Sequence, residues 1–284
     1  MNCDNRPLPS IFVKKNIDEA FIGNFMKKKH PALSMLIGKQ ETAYLCFSAA
    51  DFKDLITNNI ANVPGAVGLK IYFASYAVTG TQAIDDIVNA GYDRLLTLIF
   101  APTADKTPGV ISYDEYNDIG GNYFMIDPVN GGVLTISPAD AGKLVSNYVN
   151  VKRPLLQQIL IDAGAPATVT ETKTLWISIN ALTNPNSGFI AEMDCQNATG
   201  ITAYIGSHPK AAVSPDGKNK PIDWQLTIVF CLAEACTYAG KPYFYHFDID
   251  DCANFPQRYA LPMVAGGGDT LNPCPPANAN CSNI

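Results

Sequence analysis

Residues 41–48, Glu-Thr-Ala-Tyr-Leu-Cys-Phe-Ser, recur as residues 171–178, Glu-Thr-Lys-Thr-Leu-Trp-Ile-Ser, with four identities in eight at an offset of 130. The same offset relates residues 96–100 (LTLIF) to 226–230 (LTIVF) and Asp118-Ile119 to Asp248-Ile249. Between these blocks, residues 68–75 (GLKIYFAS) match 200–207 (GITAYIGS) at an offset of 132. Upstream, Lys29-His30-Pro31 resembles Lys152-Arg153-Pro154 at an offset of 123. Separated blocks in one order, three of them holding one offset, constrain the fold more than any single motif, because a repeat sets the size and number of structural units. The expected organisation is a first unit at residues 1–136, a second at 137–264, and a loosely ordered Gly/Pro/Asn/Cys tail at 265–284.

Within the first unit, Asn16 is placed to cap a helix, with Glu19 at the capping-box position. Ile17, Phe21, Ile22, Phe25 and Met26 form an apolar stripe at helical spacing. Lys27, Lys28 and Lys29 follow in the last turn, where solvated positive charge suits the helix dipole. Pro31 is expected to break the helix, since the residue before proline avoids helical angles. A second short helix then carries Leu33, Leu36 and Ile37 and stops at Gly38. In the second unit Ser137 is the cap, Pro138 the first-turn proline and Asp140 the acidic third position, and another helix follows Pro154 to stop at Gly164. The Glu-Thr-x-x-Leu block reads as a strand, after which Ser48 caps a helix with Asp51 at its third position. Its counterpart is interrupted by Pro185. Residues 68–74 and 95–100 have the β-branched and aromatic content of central strands. Residues 123–127 and 133–136 flank a Pro-Val-Asn-Gly-Gly hairpin signal. The unit therefore reads α-α-β-α-β-β. That order is not the alternation of a doubly wound fold, and it points to α+β with mainly antiparallel sheets carrying helices on one face.

Charged residues make up 16% of the chain and hydrophobic residues 47%, which excludes a disordered polymer. Apolar runs such as 95–100 fall far short of the roughly 20 residues a membrane helix needs. Residues 1–16 mix charges with short apolar patches and read as lacking a secretory leader, so a cytoplasmic location is expected. The net charge of -6 argues against general nucleic-acid binding. Residues 1–136 hold 11 Lys/Arg and 14 Asp/Glu, and residues 137–284 hold 9 and 12, so neither half is basic against an acidic partner.

No phosphate loop, H-E-x-x-H, G-x-S-x-G, G-x-G-x-x-G or Cys-x-x-Cys pattern occurs. Four weaker constellations remain. Cys231, Cys236 and Cys252, with Cys195 and His246, have the ligand types for tetrahedral zinc, although a thiol ending an apolar strand is ordinary core. Asp248, Asp250 and Asp251 could bind a hard cation, but they lack the glycine and terminal glutamate of a calcium loop, and turn-forming aspartates account for them more simply. In the first unit only Asp118 stays in register with this cluster. Ser207 and His208 are adjacent, yet strand neighbours point to opposite faces, which opposes a hydrolytic pair. The Lys27–Lys29 run, with Lys14 and Lys15, could meet phosphate, though solvated lysines at a helix end explain it. Asn197-Ala198-Thr199 fits a glycosylation acceptor only in an exported chain.

The F-S helix start at Phe47-Ser48, the Gly68-Leu69-Lys70-Ile71-Tyr72-Phe73 strand and the Thr97-Leu98-Ile99-Phe100-Ala101-Pro102-Thr103 strand resemble a group of uncharacterised bacterial proteins. The resemblance covers about residues 45–120. The second unit departs from it, with Thr202-Ala203 for Lys70-Ile71 and Cys231-Leu232-Ala233 for Ala101-Pro102-Thr103. It implies a fold family and no catalytic residues.

These features lead to an expected non-enzymatic interaction or structural protein, built from two pseudo-symmetric units and acting through a protein partner or self-association, without nucleic acid, membrane or cofactor. The alternative is a metal-assisted hydrolase in which His246, Asp248, Asp250 and Asp251 hold a divalent metal. A third reading is a small-ligand binder using Tyr72, Tyr204 and Trp224.

Overall fold

The computed structural model describes residues 15–105, 116–186, 188–195, 197–210, 224–238, 241–246 and 281–282. The chain begins with helix α1 (Lys15–Asn24), which runs through a π-helical turn (Phe25–Lys29) into α2 (His30–Ile37). Strand β1 (Tyr44–Ser48) and α3 (Ala49–Asp54) follow, α3 again widening into a π turn (Leu55–Ile60). Next come β2 (Gly68–Ser75), α4 (Gln82–Ile87), β3 (Leu96–Asp105), β4 (Tyr116–Asp118), β5 (Tyr123–Ile126) and β6 (Val133–Ile136). The later part holds α5 (Pro138–Asn147), a π turn (Tyr148–Lys152), α6 (Arg153–Asp162), β7 (Thr174–Ser178), α7 (Ile179–Thr183) and α8 (Phe189–Cys195). It continues with β8 (Gly200–Ser207), β9 (Leu226–Tyr238), β10 (Lys241–His246) and a short β11 (Cys281–Ser282) within the expected tail.

Local chemistry sets several of these boundaries. The Ser48 hydroxyl accepts from Asp51 N at 3.0 Å, Ser137 from Asp140 N at 3.1 Å, and Ser178 from Ala181 N at 3.1 Å. Each satisfies an amide the first helical turn leaves open. Gly38 ends α2 in the left-handed conformation at φ 73°. Asp127 Oδ1 accepts from Val129 N and Asn130 N at 2.8 and 3.0 Å, closing the turn between β5 and β6.

Pro31 does not break its helix. It occupies the second position of α2, directly after the π turn, and Pro154 does the same in α6. In each case the amide before the proline reaches five residues back: His30 N to Phe25 O, and Arg153 N to Tyr148 O. The wide turn keeps the residue before each proline hydrogen-bonded within a continuing helix, while the proline itself has no N–H to give.

All strand pairings among the described residues are antiparallel. One sheet has the order β10-β9-β8-β1-β11 and the other β6-β5-β3-β2-β7, with β4 also pairing β3. This is the α+β class with antiparallel sheets. Each sheet borrows a strand from the other end of the chain. β1 lies on β8 with Tyr44 opposite Tyr204 and Ser48 opposite Gly200. β7 lies on β2 with Thr174 opposite Tyr72 and Ser178 opposite Gly68.

Leu45 and Phe47, Leu69, Ile71 and Phe73, Leu98 and Phe100, and Ile201, Ala203 and Ile205 meet in one core cluster fed by both sheets. Phe52 anchors it, with ring centroids 6.1 Å from Phe47, 5.7 Å from Phe189 and 5.6 Å from Phe230. A second cluster joins Ile99 and Met125 to Ile84 and Ile87 of α4 and to Ala141 and Leu144 of α5. Because side chains alternate along β3, Ile99 faces away from Leu98 and Phe100. Helical cover thus reaches both faces of the six-stranded sheet.

Candidate functional site

The densest buried chemistry lies where the borrowed strands begin. Lys29, Lys152, Glu41 and Glu171 are each no more than 1% exposed. Lys29 Nζ lies 2.5 Å from Glu171 Oε2, and Lys152 Nζ pairs with Glu41 Oε2. In each pair the lysine comes from one half of the chain and the glutamate from the other. The second carboxylate oxygens are satisfied in parallel. Glu41 Oε1 accepts from Thr42 N at 2.8 Å and Leu96 N at 2.7 Å. Glu171 Oε1 accepts from Thr172 N and Leu226 N, both at 2.7 Å.

The surrounding contacts follow the same plan. His30 Nε2 donates to Glu41 O at 2.8 Å, and Arg153 Nε to Glu171 O at 2.8 Å. Asn24 Nδ2 donates to Ser207 O at 3.4 Å, and Asn147 Nδ2 to Ser75 O at 3.3 Å. Ser75 Oγ donates to Arg94 O at 2.9 Å, and Ser207 Oγ to Trp224 O at 2.5 Å. Arg94 and Trp224 both hold left-handed backbone, at φ 62° and 60°. Lys29 also donates to the Trp224 carbonyl.

Burial lowers the pKa of both lysines below the ordinary range; Glu171 opposes that shift at Lys29, and Lys39 adds to it at Lys152. His30 falls to about 4, first through burial and then through the nearby Lys152 cation. His208 falls to about 4 for the same first reason, with Lys29 as its neighbour. Each buried lysine is thereby held against a carboxylate from the other half of the chain, and Lys152 is brought down to about 7.

Lys29 therefore departs from the sequence expectation of a solvated helix end; Lys27 and Lys28 remain exposed. The π turn adds a residue to the helical turn and rotates Lys29 inward. The sequence did carry a signal for these four residues, since a lysine and a glutamate recur at aligned positions in largely apolar blocks. Sequence reasoning missed that the two blocks face each other.

A second polar cluster lies on the six-stranded sheet. Asp118 Oδ2 accepts from Tyr72 OH at 2.5 Å and Tyr123 OH at 2.8 Å, and Lys70 Nζ lies 2.8 Å from Asp118 Oδ1. The Tyr123 phenol is raised to about 12 by burial and by Asp118, and Tyr72 is raised further for the same reasons. Asp118 is thus committed to a protein cation and two phenols.

The expected metal ligands are only partly described. His246 ends β10 opposite Ala233, with its side chain outside the described residues, where Asp248, Asp250, Asp251 and Cys252 also lie. Cys195 is disulfide-bonded, which removes it from a thiolate ligand set, while Cys231 is not disulfide-bonded. Among the described residues no group of three or more His, Cys, Asp or Glu side chains could hold a metal. Ser207 bonds a carbonyl, while His208 packs edge-on against Phe21 at 5.1 Å, so the adjacent pair forms no hydrolytic couple. Tyr72 faces Tyr123, Tyr204 faces Tyr44, and Trp224 lies under Lys28 at 3.5 Å. Tyr72 and Tyr204 belong to different sheets. No protein-family model, curated protein or solved structure matches this chain.

Proposed function

We propose that this chain is a non-enzymatic interaction or structural protein made of two equivalent α+β units that arose by duplication. The observation that carries the reading is the commitment of its buried acids and bases to each other: Lys29 to Glu171 and Lys152 to Glu41. Chemistry that elsewhere serves catalysis here ties one half to the other. Met35, Val78 and Ile161 are exposed apolar side chains, at 83%, 67% and 55%. No helix among the described residues is long and apolar enough to cross a membrane. Light scattering behind size exclusion, combined with metal analysis, tests the functional reading. A concentration-dependent mass without bound metal agrees with it. Stoichiometric zinc, calcium or magnesium with a matching thermal shift would turn the assignment to a metal-dependent enzyme.

A further inference from the structure

The contacts that cross between the halves come in mirrored pairs. The Lys29–Glu171 bridge has its mirror in Lys152–Glu41. The β1–β8 ladder has its mirror in β7–β2, and Asn24 to Ser207 O is mirrored by Asn147 to Ser75 O. Each half thus supplies one lysine, one glutamate, one donated strand and one receiving strand. A surface that meets its equivalent in this reciprocal way is isologous, the arrangement of a two-fold dimer.

We propose that the surface buried between the halves is self-complementary, so that its fitting partner is a second copy of this chain, paired first half to first half and second half to second half. This rests on the equivalence of the units proposed above. In that pairing Lys29 of one copy meets Glu41 of the other, and Lys152 meets Glu171. Every ion pair and strand ladder of the closed chain is then rebuilt between copies.

Two full-length variants that alter the same number and kind of residues separate the pairings. Lys29→Met/Glu171→Gln neutralises one complete pair within the closed chain and leaves the other intact. Lys29→Met/Glu41→Gln breaks both pairs in the closed chain, stranding Glu171 and Lys152 as buried unpaired charges, which is strongly unfavourable. Pairing between copies relieves this: the two neutral, substituted side chains meet each other, and Lys152 of one copy meets Glu171 of the other. Light scattering behind size exclusion, with circular dichroism for folding, reads the result. The expected outcome is a wild-type mass for Lys29→Met/Glu171→Gln and a twofold increase in mass for folded Lys29→Met/Glu41→Gln. The proposal is overturned if Lys29→Met/Glu41→Gln keeps the wild-type mass, or unfolds while the other variant folds. Loss of fold in Lys29→Met/Glu171→Gln would instead overturn the equivalence of the units, because the two pairs would not then be interchangeable.

Discussion

At the residue scale, the buried lysines and glutamates make opposite predictions for single and paired substitution. Lys29→Met leaves the Glu171 carboxylate buried without its cation and is expected to cost about 3–5 kcal/mol in urea unfolding. Adding Glu171→Gln should recover most of that loss, because the amide oxygen still accepts from Thr172 N and Leu226 N. The histidines govern acid stability. Both His30 and His208 titrate near 4 in the fold, against about 6.5 when free. The unfolded chain therefore takes up these protons first. Their neutral forms sustain full stability above about pH 6.5, and stability is lost as pH falls toward 4. His30→Gln, whose amide can still donate to Glu41 O, should show a smaller drop in urea midpoint between pH 7 and 4 than the wild type. Little of this was legible from composition, because a lysine beside two other lysines reads as surface until the π turn is known.

At the element scale, most short-range signals were well read, although Asn16, expected as a cap, lies within α1. The Ser48 and Ser137 caps, the Gly38 stop and the Pro-Val-Asn-Gly-Gly turn all rest on contacts within a few residues, which sequence states directly. Ser137→Ala is expected to lower stability by about 1 kcal/mol. What failed was the effect of Pro31, since a proline excludes one hydrogen bond but does not say whether the helix ends or widens. Strand exchange was equally hidden, because pairing partners more than 100 residues apart leave no local mark. Gly68 tests that exchange. A Cβ there would run into the Trp176 indole of β7, whose Nε1 donates to Thr103 Oγ1 at 2.9 Å. Gly68→Ala should displace the ring and cost about 1–3 kcal/mol. A red shift in tryptophan emission would report the movement, whereas an unchanged spectrum and stability would show that β7 does not pack there.

At the scale of the whole molecule, the halves cannot come apart one at a time. Unfolding the first removes β1 from β8 and leaves Glu171 without Lys29; unfolding the second removes β7 from β2 and leaves Glu41 without Lys152. Calorimetry is therefore expected to give one transition with equal calorimetric and van't Hoff enthalpies, not two transitions for two domains. The amino-acid sequence by itself determined the α+β class, the helix caps and turns, and the matched blocks, because these depend on side-chain periodicity and neighbouring hydrogen bonds. Only the tertiary structure decided that each half completes the other's sheet and that the recurring lysine and glutamate meet across the chain. Those pairings join residues 111 and 142 positions apart, and at such separations contact is set by how the whole chain packs.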